Sequence, residues 1–230
     1  MAKHIFVPTS GPEAWRGLLA DPVKHWKPGF SARALATCWE AADNWPPEIA
    51  ALLASSIEPA LVGAELLLAI PEYTVALPPR GKPSQNDLFV LAKAADGQLM
   101  AMTVEGKVNE PLGATLDEWN ATASTGKAAR LRFICAQLGL ASEPPGTVRY
   151  QLLHRSVSAL VLARRFNARY AVMLVHSFSP VGAWFEDFET FCGLFGSRPA
   201  ERDVLLPLTM AGGIALYAGW VSGNTAFLNE

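Results

Sequence analysis

The period of the hydrophobic positions changes several times along the chain, and those changes divide it into elements. Residues 12–20 read as a short helix, and Ser31 stands where an N-cap for a second helix over residues 32–42 belongs. Pro46 and Pro47 open a long helical pattern running to about Ile70, with Ile49, Leu52, Leu53, Ile57, Leu61, Leu66 and Leu67 apolar. Pro71 ends it. Residues 72–77 alternate as a half-buried strand does, and Pro78-Pro79-Arg80-Gly81-Lys82-Pro83 reads as a loop. Residues 88–92 form a short apolar strand, Asp96-Gly97 signals a hairpin turn, and residues 98–107 return as the partner strand.

Beyond a turn at residues 109–113, the segment holding Leu116, Trp119 and residues 128–138 is predicted helical. Ser142-Glu143-Pro144-Pro145-Gly146 is a second loop, residues 150–166 are strongly helical, and residues 170–178 are a continuous apolar run of strand type. Trp184, Phe185, Phe188, Phe191 and Phe195 share one helix face, which predicts either core or an oligomer interface, so a homodimer is among the expectations. Residues 204–229 carry no charge, but Pro207, Gly212, Gly213, Gly219 and Gly223 interrupt them. There Ile214, Leu216, Ala218 and Trp220 alternate with their neighbours, which suits a buried strand better than a membrane helix. Without repeat or linker, the pattern predicts one α/β domain with a central mixed sheet of about five strands flanked by helices. Residues 1–45 would be a helical N-terminal extension, 46–180 the core, and 181–230 a C-terminal helix and hairpin packed on it.

Composition narrows the function. Half the residues are apolar and 17% are charged, which excludes a disordered chain. A net charge of -2 excludes a generally basic nucleic-acid coat, so any contact with a polyanion must be local. One local excess exists: Lys127, Arg130, Arg132, Arg149, Arg155, Arg164, Arg165 and Arg169 against the single acid Glu143. From it, Arg149, Arg155, Arg164 and Arg165 are expected to form a nucleic-acid patch, or else a solvated helix face offset by acids elsewhere. Cys38, Cys135 and Cys192 are scattered and odd in number, which supports neither a disulfide framework nor structural zinc. Together with a start at residues 1–8 that lacks an apolar leader, they predict a reducing, cytoplasmic setting and no membrane.

Candidate chemistry gathers in the middle of the chain. In a strand, residues two apart share a face, so Glu105 and Lys107 project together while Gly106 points away. Asp87 lies about nine residues before the Asp96-Gly97 turn and Glu105 about eight after it, as a symmetric hairpin requires. Two carboxylates and an ammonium at one strand end are costly unless a hard divalent cation relieves the repulsion. The lysine would orient or deprotonate an attacking water, a set suited to phosphodiester hydrolysis. The bland alternative is a turn aspartate beside a solvated cross-strand charge pattern.

The order helix, three strands, helix, strand, with Asp87 on the second strand and Glu105-Gly106-Lys107 on the third, resembles the PD-(D/E)xK nuclease superfamily over residues 46–180. Here Asn86 replaces the proline before the aspartate. The resemblance implies a restriction-endonuclease-like αβββαβ core and a Mg2+ or Mn2+ ion held by Asp87, Glu105 and the Gly106 carbonyl. Lys107 would be catalytic, and an added acid from the first helix would be Glu65, with Glu58 in reserve. Gln151 and Arg155 take the places of a Gln-x-x-x-Tyr signature and would brace the site or hold phosphate. A non-catalytic binding or assembly module on the same fold is the alternative.

Other signals are weaker. Ser124-Thr125-Gly126-Lys127 hints at a phosphate loop, but Ala128 follows the lysine and no strand precedes it. His4, His25, His154 and His176 read as hydrogen-bonded structural histidines, with His154 near the proposed site. Ser177 and Ser179 lack a nucleophile-elbow context.

Overall fold

The computed structural model describes residues 9–79 and 81–229; His4, the start expected to lack a leader, and Arg80 lie outside the described residues. In chain order the helices are α1 (Pro22–His25), α2 (Ser31–Ala41), α3 (Pro47–Ala54), α4 (Leu116–Asn120), α5 (Thr125–Leu138), α6 (Tyr150–Arg165) and α7 (Phe185–Gly193). The strands are β1 (Glu65–Val75), β2 (Ser84–Lys93), β3 (Leu99–Lys107), β4 (Tyr170–Ser177), β5 (Leu205–Ala211) and β6 (Ile214–Ser222). Short 3-10 turns cover Pro12–Leu18, Pro59–Leu61 and Thr225–Leu228.

The strands form one mixed sheet of six, in the order β1-β2-β3-β4-β6-β5. β1, β2 and β3 are antiparallel neighbours, β4 runs parallel to both β3 and β6, and β5 closes the far edge antiparallel to β6. The uncharged tail supplies the expected hairpin, β5 and β6, which brings the sheet to six strands. Its two turn glycines, Gly212 and Gly213, both have positive φ, where a side chain would be strained.

Alternation on β3 and β4 sorts the apolar residues into two cores. Ala101, Ala171, Met173 and Val175 face α6 and α7 on one side. Met100, Met102, Val172 and Leu174 face α2 and α3 on the other, together with Trp15, Trp26 and Trp39. Trp15, Trp26 and the helix α2 therefore pack into one layer of the fold. Part of the aromatic stripe is core: Phe188 and Phe191 are fully buried and Phe188 packs on Trp220, while Phe185 and Phe195 are half-buried and Trp184 is exposed.

The expected helix over 46–70 is not formed. It stops at Ala54, Pro59 starts a 3-10 turn, Gly63 turns with φ of 71°, and β1 begins at Glu65. Leu66 to Ile70 are needed as a strand because β2 would otherwise be an edge of apolar residues with unpaired backbone. Among the described residues no helix is long and apolar enough to cross a membrane. The three cysteines are free and buried.

Candidate active site

The ends of β1 and β3 and the start of β2 meet the first turns of α6 at a cleft of about 880 Å³. Its floor is acidic. The β2–β3 ladder closes at Leu88–Val104, and one position further Asp87 and Glu105 stand across from each other, as the hairpin count predicts. Glu72, flanked by the Pro71–Leu88 and Tyr73–Asn86 pairs, stands opposite Asp87 from the other side. Glu72 holds a left-handed φ of 53°, unusual for a residue with a side chain and costing about 1–3 kcal/mol.

Glu105 is the hub. Its Oε1 accepts from Lys107 Nζ at 2.8 Å and from Gln151 Nε2 at 2.6 Å, and its Oε2 accepts from Arg155 Nε at 2.6 Å. Burial pushes its carboxyl up, but Arg155 and then Lys107 outweigh burial and hold it down at about 2. Burial likewise disfavours the Lys107 ammonium, yet Glu105 and Asp87 more than offset this and raise its pKa. Lys107 is thus a firmly protonated donor, and the expected role of deprotonating a water does not suit it as it stands.

Asp87 and Glu72 are the opposite case. Burial, then the charge of Glu105, raises Asp87 to about 7 despite Lys107 and Arg155. Burial, then the charge of Asp87, raises Glu72 to about 8. Glu72 Oε2 accepts from Gln85 Nε2 at 2.6 Å, and Asp87 Oδ2 accepts from the Gly106 N–H at 2.8 Å. A strand residue sends its N–H and C=O to the same side. The Gly106 carbonyl therefore opens toward Asp87, while the next carbonyl, that of Lys107, turns to β4 and accepts from Phe178 N–H at 2.7 Å. Two half-protonated acids and a backbone carbonyl on one edge are hard oxygen donors short of positive charge.

Above the floor, Arg155 Nη1 donates to Ser84 Oγ at 3.0 Å, and Ser84 Oγ lies 2.8 Å from His154 Nδ1. A guanidinium only donates, so the serine hydroxyl accepts from it and also shares a hydrogen bond with His154 Nδ1. Burial and the Arg155 charge hold His154 well below its usual range, so it is neutral.

The other expected residues separate. Glu65 pairs with Lys93 at the far end of β1, exposed and away from the cleft. Glu58 caps the Pro59 turn and accepts from Tyr217. The acid that stands beside Asp87 is Glu72, at the head of the strand expected over residues 72–77 and not among the candidates. The four arginines do not form one patch. Arg149 is paired with Asp187, Arg155 is buried against Glu105, and Arg164 and Arg165 bind Gln137 and Tyr73 about 14 Å further along α6.

Among the described residues, the trio of His, Cys and carboxylate ligand atoms that lies within 4.8 Å is Cys38, Glu48 and His176, on the reverse face of the sheet. Trp39 Nε1 donates to His176 Nδ1 at 3.3 Å, so Nε2 carries the proton and donates to Glu48 Oε1 at 2.9 Å; Cys38 Sγ lies 3.4 Å from that same oxygen. A metal at Nε2 would need a proton on Nδ1, where the indole N–H already points. The trio is a satisfied buried hydrogen-bond network, as expected for a structural histidine.

A family profile described as a domain of unknown function (DUF6946) matches residues 8–225. No curated protein and no solved structure matches the chain.

Proposed function

The chain belongs to the DUF6946 family, a membership that carries no activity with it, and from the cleft itself we propose that the protein is a divalent-metal-dependent phosphodiester hydrolase acting on nucleic acid. The observation behind this reading is the meeting of Asp87, Glu105, Gly106 and Lys107 at one strand edge beneath α6. The order of elements there is the one that PD-(D/E)xK nucleases use.

Asp87, Glu105 and the Gly106 carbonyl would hold Mg2+ or Mn2+, with Glu72 extending the set in place of Glu65. When bound, the cation would neutralise charge on phosphoryl oxygens and acidify water. Lys107, protonated and 2.8 Å from Glu105, donates to a phosphate oxygen or positions the water. Arg155 and Gln151 fix the two Glu105 oxygens and so orient the hub rather than touch the reacting atoms. Neutral His154, hydrogen-bonded to Ser84, adds a polar group at the cleft wall. Free buried thiols fit a cytoplasmic setting.

One observation favours the non-catalytic alternative: both oxygens of Glu105 already have partners, as in a purely structural ion cluster. Calorimetry with Mn2+ and Mg2+, followed by cleavage assays on labelled DNA and RNA, separates the two. Metal-dependent heat and cleavage that vanish in Asp87→Ala and Glu105→Ala support the hydrolase. No heat and no cleavage in the folded wild type leaves the binding module.

A further inference from the structure

The cleft has a second wall, and it is cationic. α5 begins there: Ser124, Gly126, Lys127 and Arg130 all line the cavity that holds the acids. Ser124 Oγ accepts the N–H of Lys127 at 3.2 Å, but the N–H groups of Thr125 and Gly126 have no acceptor among the described residues. A Cβ placed on Gly126 would meet only Ser124 Oγ, at 3.9 Å, so nothing stands in front of this backbone.

Arg130 supplies an independent sign of a missing ligand. The residue is 8% exposed, its Nη2 and Nη1 reach the carbonyls of Pro79 (3.0 Å) and Lys82 (3.4 Å), the Tyr150 hydroxyl interacts with the guanidinium, and its Nε has no partner. Lys127 Nζ donates to the carbonyls of Trp119 and Thr122, at 2.6 and 2.9 Å, and to Thr122 Oγ1 at 3.0 Å, and so adds charge to this wall. Among the described residues neither cation has a carboxylate partner. A buried guanidinium without a counter-ion and with an idle N–H is costly unless an anion completes it. Unpaired N–H groups and the positive end of a helix of 14 residues favour the same occupant.

We infer that the start of α5, with Lys127 and Arg130, is a phosphate-binding subsite of the cleft, separate from the acidic floor. On the hydrolase reading, on which its substrate role rests, it holds a non-reacting phosphate of the strand and sets which bond reaches Asp87 and Glu105. The Ser-Thr-Gly-Lys sequence thus works as a helix start that receives a phosphate and not as a nucleotide loop.

The test uses metal-free protein in EDTA, so it does not depend on hydrolysis. The Arg130 Nε–H resonance, assigned by its loss in Arg130→Gln, is followed during titration with inorganic phosphate, with chloride as the reference anion at fixed pH and ionic strength. A saturable shift with phosphate alone is expected, weakened about tenfold in Lys127→Ala and unchanged in Asp87→Ala. A 5′-phosphorylated oligonucleotide that binds at least tenfold more tightly than inorganic phosphate identifies the strand as the source. Equal affinity identifies a free-phosphate subsite and overturns the substrate role. A resonance that does not move, or moves equally with chloride, overturns the subsite. Should Arg130→Gln fail to fold, Lys127→Ala carries the same decision. Phosphate binding without any cleavage activity would retire the hydrolase and keep the subsite.

Discussion

The main-chain N–H of Gly106 donates to Oδ2 of Asp87 over 2.8 Å, so a side chain joins β2 to β3 at the point where their backbone ladder has stopped. The carboxylate is held at one oxygen by the strand that carries Glu105 and Lys107. What remains uncompensated is its charge, and the first predictions follow from that.

Asp87→Asn and Glu72→Gln each remove a charge that burial and a neighbouring acid disfavour. Each is expected to raise the melting temperature of metal-free protein by about 2–4 °C, the scale of ~1 kcal/mol in a chain of this size. Metal binding should fall at the same time. Scanning calorimetry in EDTA and in Mn2+ checks both arms, and a melting temperature lowered in EDTA would mean that the acids are structural.

The pH dependence has a definite sign. Asp87 and Glu72 titrate near 7 and 8 in the folded state and near 4 when unfolded, so the folded state binds more protons between these limits. Metal-free stability should therefore decline as pH rises from about 4 to 8. Glu105, held near 2, acts in reverse: its contribution is present above about pH 4.5 and is lost as pH falls toward 2. Denaturant titrations at pH 5.5 and 8.5 should show the decline in wild type and its absence in the Glu72→Gln, Asp87→Asn double variant.

Arg155→Ala leaves Glu105 buried with Lys107 as its sole cationic partner and strips a donor from Ser84. Breaking a buried pair from one side costs about 3–5 kcal/mol. Urea unfolding should give a loss of that size. Arg155→Lys should recover part of the charge but not the paired contacts of the guanidinium fork to Glu105 and Ser84.

Two acids on β1 make opposite predictions. Glu65→Ala should leave stability within about 0.5 kcal/mol and any hydrolysis unchanged, because its side chain is exposed at the far end of the strand. Glu72→Ala should reduce metal-dependent cleavage about tenfold or more. Equal effects in a steady-state cleavage assay would remove Glu72 from the site.

Why one acid was legible and the other hidden is a matter of chain geometry. The turn is centred on Asp96, with Ala94 facing Gln98, so counting nine residues outward on each side brings Asp87 to Glu105. The same symmetric count about residues 79–80 would bring Glu72 to Asp87, as the Val75–Ser84 pair shows. Glu72 heads the strand expected over residues 72–77, but Leu66, Leu67 and Ile70 extend the helical spacing of Ile49 to Leu61 and drew the added acid to Glu65, because a short apolar run does not distinguish helix from strand. The scattering of the arginines had no signal in sequence. Arg155 and Arg164 lie on one helix, but which of them is buried depends on where Glu105 stands. Arg130 was counted as surface charge, and only its burial and its idle Nε give it a task.

Behind the acids, Gly106 lies directly under α2: a Cβ there would come within 3.3 Å of Leu35 Cδ2 and 3.5 Å of Ser31 Cβ. Gly106→Ala should cost about 1–3 kcal/mol, with Leu35→Ala in the same chain restoring part of it. The strand has no slack at its back. α2 backs the bare backbone whose N–H grips Asp87, an anvil that sets how far back this edge of the site can lie.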